Sequence, residues 1–336
     1  MAKRIGNRTI KLESRPSFIG YGSVVGQKEH EGPLGSGFDT YSNDCRLGEK
    51  SFEKAESRLQ KIAVETALKR AEIDETDIDI IFAGDLLNQC IGSSFGLRSL
   101  GIPFVGLYGA CSTMALGLMM ASISIESGAA GIAAAVTSSH FCSAERQYRF
   151  PLEYGSQRTP TAQWTVTGSG ASIISKDIGR PYISAITVGS IEDLGVCDAN
   201  NMGAAMAPSA AATIKHYLED TATQPDDYDA IFTGDLGKVG SELLYQLLER
   251  DGINICAKHH DCGLMIFDLE KQDMHAGGSG CGCSASVLNS YIMHRFEDGS
   301  YKNILFMSTG ALLSPTSTMQ GESIPGISHL LNIRCD

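Results

Sequence analysis

The sequence has few basic residues relative to acidic ones. Its 336 residues include 27 Lys and Arg against 39 Asp and Glu, which gives a formal net charge of −12. Proteins that bind nucleic acids present a concentrated positive surface, so this balance argues against a nucleic-acid partner. The same charge repels anionic ligands at long range, and any such ligand must be held by positive groups close to it.

An apolar segment of the signal-peptide type is missing at the start of the chain. The opening residues, MAKRIGNRTIKLESRPSF, carry charges throughout and contain no apolar run of that length. We therefore expect a cytosolic protein. In that compartment the ten cysteines are expected to be mostly thiols, and no disulfide framework is implied.

Charged residues are absent from one long stretch of the first half. Between Arg98 and Glu126 lie 27 residues without a charge. Pro103 and several glycines argue against a membrane span and favour a strand over 102–108, a sharp turn at Gly109 and a helix over 111–125. A helix that is apolar on all sides is buried on all sides. The 18 charge-free residues of 276–293 predict a second buried helix.

An octapeptide repeat indicates how the chain is organised. The segment DIIFAGDL at 79–86 reappears as DAIFTGDL at 229–236, displaced by 150 residues. Each copy is typical of a short buried strand that ends in a turn, and helix-like stretches precede both copies, over 51–71 and 208–219. The period is too long for a solenoid. The repeat therefore predicts a duplicated α/β fold with halves 1–178 and 179–336, layered as helix, sheet, helix, sheet, helix.

Three kinds of polar residue are candidates for a ligand site. Cys111, followed by Ser112, comes directly after a strand and a turn, where a helix N-terminus favours a thiolate or a bound anion. The alternative for Cys111 is a small buried apolar side chain. Asp85 and Asp235 occupy matching places after the two repeat strands. They are interpreted either as ligand contacts at the carboxyl ends of the strands or as caps of the following helices.

Several segments resemble a known protein family. The cysteine in YGACSTMALG and the glycine-rich GGSGCGCSAS loop are similar to the thiolase superfamily, the condensing enzymes of fatty-acid and polyketide synthesis. More closely, EGPLGSGFD, IFAGDLLNQ, AERQYRFPLEYG, KHHDCGLMI and STGALLSPT resemble the stage V sporulation protein AD family of spore-forming bacteria. These segments follow one another in order along nearly the whole chain.

The resemblance implies a fold, a ligand and partners. It implies the thiolase-like, five-layer α-β-α-β-α fold and a homodimer. It also implies a sporulation protein that binds dipicolinic acid, pyridine-2,6-dicarboxylate, for uptake into the developing spore. No cofactor is expected, and dipicolinic acid, alone or with calcium, is the expected ligand. The expected partners are other transport proteins of the spore inner membrane, and the expected location is the cytosolic face of that membrane, peripheral and without a transmembrane segment.

The catalytic set of the superfamily is incomplete in this chain. In the condensing enzymes the cysteine works with two helpers, a His and an Asn or two His. The resemblance places one helper at Gly234-Asp235 and the other near Cys281, and neither position carries His or Asn. This favours a binding protein in which Cys111 is a vestigial nucleophile. The alternative is an acyltransferase of the ketoacyl synthase type that uses Cys111, with His259 or His140 as the base.

Arginines are the expected partners of a dicarboxylate, because the guanidinium fork binds two oxygens at once. The segment 138–160 supplies Arg146, Arg149 and Arg158 together with His140, and its alternative interpretation is an exposed loop or a dimer contact. We rank Arg146 first. The segment 258–262, KHHDC, has the wrong spacing for a closed zinc site, so no metal site is predicted and its His259 is assigned to the pocket.

Overall fold

The computed structural model describes residues 2–148, 158–177 and 179–336. The elements of the first half are β1 (Lys3–Ile5), β2 (Thr9–Lys11), β3 (Ser17–Gly26), α1 (Gln27–His30), β4 (Thr40–Ser42), α2 (Phe52–Ala71), β5 (Ile80–Gly84), α3 (Ile91–Leu97), β6 (Phe104–Gly106), α4 (Thr113–Glu126), β7 (Ile132–Ser139), α5 (Phe141–Tyr148), β8 (Trp164–Thr165) and β9 (Gly168–Ser175). Those of the second half are β10 (Tyr182–Thr187), α6 (Met202–Thr221), β11 (Ala230–Thr233), α7 (Gly237–Glu249), β12 (His259–Asp261), α8 (Cys262–Met265), β13 (Gly278–Ser279), α9 (Cys281–Val287), α10 (Met293–Glu297), β14 (Asn303–Ala311), α11 (Pro315–Met319) and β15 (Gly326–Arg334).

The strands repeat one topology in the two halves. The first half has the order β6-β5-β7-β9-β3 and the second the order β12-β11-β14-β15-β10. In each half the first three strands run parallel and the last two pairings are antiparallel. The halves join where Tyr182 of β10 pairs with Ser17 of β3. The β1–β2 hairpin attaches to β10 and so lies on the sheet of the second half.

The two copies of the octapeptide form equivalent strands. Its first copy contains β5, which lies between β6 and β7, and its second contains β11, which lies between β12 and β14. Both strands are apolar and almost completely buried, as expected for parallel strands covered on both faces. The predicted duplication is therefore confirmed.

Helices form the other layers. Helix α2 packs on β3, β9 and β7, and α6 packs on β15 and β14, so each covers the outer face of its own half. Helix α4 contacts β5 and β7 of the first half, β14 and β15 of the second, and α9. The two charge-free segments thus form the central layer, and the predicted five-layer α/β fold is confirmed. Placing them between two sheets explains why neither has a polar face.

Some predicted boundaries were wrong. The helix expected over 208–219 begins six residues earlier, at Met202, after Asn201 caps it by accepting a hydrogen bond from the Ala204 N–H at 3.3 Å. Pro208 therefore lies inside α6, although proline has no N–H to donate to a helical carbonyl. The cap and the burial of this helix against the sheet outweigh that loss. The strand expected over 102–108 is limited to β6.

Candidate functional site

Cys111 lies at a sharp turn between β6 and α4. Ala110, just before it, adopts a left-handed backbone conformation with φ of 49°, which is uncommon for a residue with a Cβ atom. The side chains of Ser112 and Thr113 fix the turn by donating hydrogen bonds to the carbonyls of Gly109 and Ala110, at 2.7 and 2.6 Å. The turn leaves Cys111 6% exposed, at the floor of a pocket.

The Asp235 carboxyl group lies close enough to the Cys111 thiol for each to shift the pKa of the other. Its two oxygens accept hydrogen bonds from the Gly280 N–H at 2.8 Å and from the Thr309 hydroxyl at 2.9 Å. Burial raises the pKa of Asp235 to about 7. Burial, and then the charge of Asp235, raise the pKa of the Cys111 thiol well above its ordinary value. Near neutral pH the site therefore holds a neutral thiol beside a carboxyl group that is partly protonated.

The pocket over Cys111 has two chambers. The inner chamber has a cavity volume of about 50 Å³, and the outer chamber, which shares Tyr108, Tyr148 and Leu313 with it, has about 300 Å³. The Tyr108 hydroxyl donates to the Tyr148 hydroxyl at 2.9 Å, and Tyr148 donates to the Leu86 carbonyl. This tyrosine pair lies where the chambers meet. The walls are mainly apolar and aromatic, as is usual for small-molecule sites.

Cys281 lies deeper than the pocket. It is fully buried in a cluster with Leu86, Cys111 and Ala144, and its thiol donates to the Ser138 carbonyl at 2.9 Å. Gly280 precedes it with φ of 103°, a conformation that glycine adopts without strain, and directs its N–H at Asp235. In this arrangement Cys281 does not line the pocket, whereas Gly280 does.

Asp85 and Ser112 form hydrogen bonds that hold the loops in which they lie. The Asp85 carboxylate accepts from the Leu87 N–H at 2.8 Å and from the backbone and the hydroxyl of Ser93. These bonds fix the loop between β5 and α3. Asp85 and its pseudo-equivalent Asp235 are both fully buried and neither lines the pocket, but only Asp235 lies beside the Cys111 thiol.

The two candidate histidines lie away from Cys111. The His140 ring donates from Nε2 to the Cys45 carbonyl at 2.7 Å and accepts from the Cys142 N–H at 3.1 Å, next to a second cavity. The His259 ring is held by the Thr233 hydroxyl at 2.8 Å and the Tyr245 hydroxyl at 2.7 Å. Burial lowers the pKa of His259 to about 3, so its ring is neutral. Neither ring contacts the thiol as a base would.

Neither of the two candidate arginines that the structure describes lines the inner chamber. Arg146 forms an ion pair with Glu53 at 3.3 Å, and its side chain is 64% exposed. Arg158 pairs with Asp273 at 3.2 Å and lies over the Trp164 ring. Arg149 is outside the described residues. Among the residues that the structure describes, no Arg or Lys lines the inner chamber, and its one charged lining residue is Glu145.

Several residues near Cys111 were not singled out from the sequence: Tyr108, Tyr148, Gly280, Met202 and Leu313, which line the pocket, and Thr309, which donates to Asp235. Tyr108 ends the segment that leads to Cys111, Tyr148 belongs to the segment 138–160, and Gly280 belongs to the glycine-rich loop, so these three had a local signal. The others arrive from distant parts of the chain, and their proximity to Cys111 follows from the packing of the two halves.

Two further observations concern metal ligands and membrane spans. Within 2–148, 158–177 and 179–336 no three His, Cys, Asp or Glu residues are grouped as metal ligands would be. In the same residues, none of the helices combines the length and the apolar character needed to span a bilayer.

Comparison with known proteins identifies the family. The sequence matches the stage V sporulation protein AD family over residues 6–334. It is 45% identical over 328 residues to the stage V sporulation protein AD of Bacillus subtilis strain 168, covering 97% of this chain and 96% of that protein. The chain belongs to the stage V sporulation protein AD family. The resemblance seen in its motifs is thereby confirmed, and it is a sporulation protein.

Comparison with solved structures shows which fold this chain has. The chain is similar to 3-oxoacyl-[acyl-carrier-protein] synthase III of Aquifex aeolicus VF5, with a TM-score of 0.59 and 12% identity over 95% of this chain and 99% of that one. It is also similar to a variant of OleA from Xanthomonas campestris, with a TM-score of 0.61 and 13% identity over 96% and 99% of the two chains. The likeness establishes the thiolase-like fold.

Proposed function

We propose that this protein binds dipicolinic acid in the pocket over Cys111 and takes part in its uptake into the developing spore, at the cytosolic face of the spore inner membrane. Membership of the sporulation family supports the setting. The observation that carries the proposal is the pairing of the Cys111 thiol with Asp235 in place of a histidine. This pairing leaves the cleft without the histidine helper that the resemblance to the condensing enzymes implies at this position.

The shape of the pocket suits a small aromatic ligand. The outer chamber of about 300 Å³ lies at the lower end of the range of about 300 to 1,000 Å³ typical of ligand sites. The rings of Tyr108 and Tyr148 form part of both chambers and offer aromatic faces to a planar ring. We propose that the pyridine ring occupies the outer chamber and that one carboxylate points towards Cys111 and the start of α4.

The charges around the pocket determine the state in which this ligand binds. Asp235 and Glu145 are both acidic, and a dianion beside them is repelled unless charge is neutralised. Protonation of Asp235 removes one of the opposing charges. A calcium ion that is bound to dipicolinic acid and transported with it neutralises the charge of the ligand. The pocket thus favours the protonated site or the calcium-bound ligand.

Calorimetric titration tests this proposal. We expect dipicolinic acid to bind more tightly below the Asp235 pKa of about 7 than above it, by about tenfold, because the ionised carboxylate repels the ligand. The Asp235→Asn variant should lose most of this pH dependence, and calcium should reduce it for the unmodified protein. Benzene-1,3-dicarboxylic acid, which lacks the ring nitrogen, is the control ligand. Absence of binding at every pH, with and without calcium, would refute the proposal.

We also propose a homodimer formed through β6. This strand is the last in the order of its half, and Phe104 and Val105 on it are 40% and 36% exposed. An exposed apolar edge strand is a template for pairing with another chain. Sedimentation should show a dimer at micromolar concentration, and Val105→Asp should shift it to monomer. Ile191→Asp, at an apolar position exposed elsewhere, should leave the dimer intact. A monomeric unmodified protein would contradict the pairing.

A further inference from the structure

A groove separates α2 from α3 on the outer face of the first half, away from the pocket over Cys111. Its volume is about 590 Å³. Gly96 of α3 forms part of the floor, where a Cβ atom would come within 2.4 Å of the Ser57 carbonyl oxygen, so the helices approach each other closely there. Phe95 lies along the groove with 58% of its surface exposed. The groove therefore combines a concave floor with an accessible aromatic ring.

Basic side chains surround this groove: Lys54, Arg58, Lys61 and Arg98, against the acidic Glu49 and Glu65. Arg58 contacts Glu49 at 3.6 Å and Lys61 contacts Glu65 at 3.8 Å, both in exposed positions where ion pairs are weak. Among the described residues, Lys54 and Arg98 take part in no ion pair. The Arg98 guanidinium lies 4.9 Å from the centre of the Phe95 ring. A net positive groove is unexpected on a protein of charge −12.

The internal duplication shows that the fold does not require these cations. Helices α2 and α6 are both 20 residues long, and their left-handed C-caps, Glu72 and Ala222, are 150 residues apart. At the same displacement, Lys54, Arg58 and Lys61 correspond to Ala204, Pro208 and Ala211.

The equivalent position of the second half also has a groove, lined by residues of α6, by the end of α7 with the two residues after it, and by Glu192. There Lys215 is neutralised by Asp251 at 2.7 Å. The groove of the first half thus has four basic residues against two acidic ones, whereas the groove of the second half balances Lys215 and Arg250 against Glu192 and Asp251. Packing alone does not account for the difference, whereas a ligand for the first groove does.

We infer that the groove between α2 and α3 binds an acidic segment of a partner protein. Carboxylates of the segment contact Lys54, Arg58, Lys61 and Arg98, and an apolar side chain of the segment packs on Phe95. Grooves between helices hold peptide segments in this manner, with apolar anchors and complementary charge. The concave shape favours a peptide over a lipid surface, because a flat bilayer contacts the rims of a groove and leaves its floor empty.

The test uses fluorescence anisotropy with a labelled peptide of glutamates and two leucines. The full-length protein should bind it with an affinity that falls as salt rises. The double variant K54E/R58E should weaken binding by at least about tenfold, which corresponds to about 1.4 kcal/mol. The matched control K215E/R250E changes the net charge by the same amount at the equivalent groove and should bind as the unmodified protein does. Phe95→Ser should weaken binding while leaving its salt dependence unchanged.

Each other outcome overturns the inference. Equal weakening by the two double variants would show a general field effect instead of a site. In a second outcome, the protein fails to bind the peptide and instead binds vesicles that contain phosphatidylglycerol, with the same dependence on Lys54 and Arg58. That result would assign the surface to lipid. If the affinity for the peptide falls under conditions where sedimentation shows that the protein self-associates, the groove would be assigned to a second copy of the chain. Circular dichroism confirms folding of every variant, whose substitutions are all at exposed or half-buried positions.

Discussion

Incubation with malonyl- or acetoacetyl-thioesters is expected to leave Cys111 unacylated. Turnover should be at least about 100-fold below that of a complete cysteine condensing site, because loss of one oxyanion donor alone raises a barrier by roughly 3 to 4 kcal/mol. In this site Asp235 adds a carboxyl group where negative charge would develop. The thiolate is also scarce, since burial raises the pKa of the thiol. Intact-protein mass spectrometry after exposure to each thioester measures the result.

Two variants sharpen this experiment. Cys111→Ala supplies the background, and Asp235→Asn removes the charge that, after burial, contributes most to raising the thiol pKa. The asparagine variant should therefore react faster with iodoacetamide at Cys111, while the exposed Cys45, Cys197 and Cys256 keep their rates. An acyl adduct on the unmodified protein that turns over and is absent from Cys111→Ala would reverse the assignment. The acyltransferase would then become the leading function.

The fold was largely predictable because its main signals are local. The repeat at 79–86 and 229–236 can be recognised from matching residues at a fixed displacement. The charge-free segments can be recognised by counting the residues between successive charged ones. Both patterns reflect burial, which any α/β layer imposes on its strands and central helices. The start of α6 was missed because Pro208 is a strong local sign of a helix start, whereas burial and the Asn201 cap decided the boundary.

The site was less predictable because it depends on side-chain direction. Cys111 and Asp235 were identified because each follows a strand whose end is fixed by the fold. The sequence says nothing about whether His259 turns towards the pocket or towards Thr233 and Tyr245, and the structure shows the second arrangement. The direction of Arg146 was equally unpredictable, since its ion-pair partner Glu53 lies far away in the sequence, on α2.

Loss of Asp261 is expected to destabilise the protein strongly. The segment that contains it drew attention as a metal candidate, yet its carboxyl group accepts four hydrogen bonds within the fold. The donors are the Thr233 hydroxyl at 2.6 Å and the N–H groups of Leu236, Gly237 and Leu264 at 2.8, 3.0 and 3.2 Å. Three of these donors belong to the end of β11 and the turn that follows it, which carries Asp235. Asp261 therefore connects the stability of the second half to the geometry beside Cys111.

Asp261→Ala is expected to lower the free energy of unfolding by about 4 kcal/mol, because each buried donor left without a partner costs about 1 to 3 kcal/mol and relaxation recovers part of the total. Urea denaturation measures the change. Asp44 provides the matched control, since its carboxylate also accepts two backbone N–H groups, of Arg46 and Gly48, but in an exposed loop. Asp44→Ala should cause a much smaller loss, because water replaces the missing acceptor. Equal losses in the two variants would show that burial of these donors does not set the cost. If Asp261→Ala folds at low temperature, the reactivity of its Cys111 should also be altered. The turn that carries Asp235 has then lost the carboxylate that accepted its hydrogen bonds.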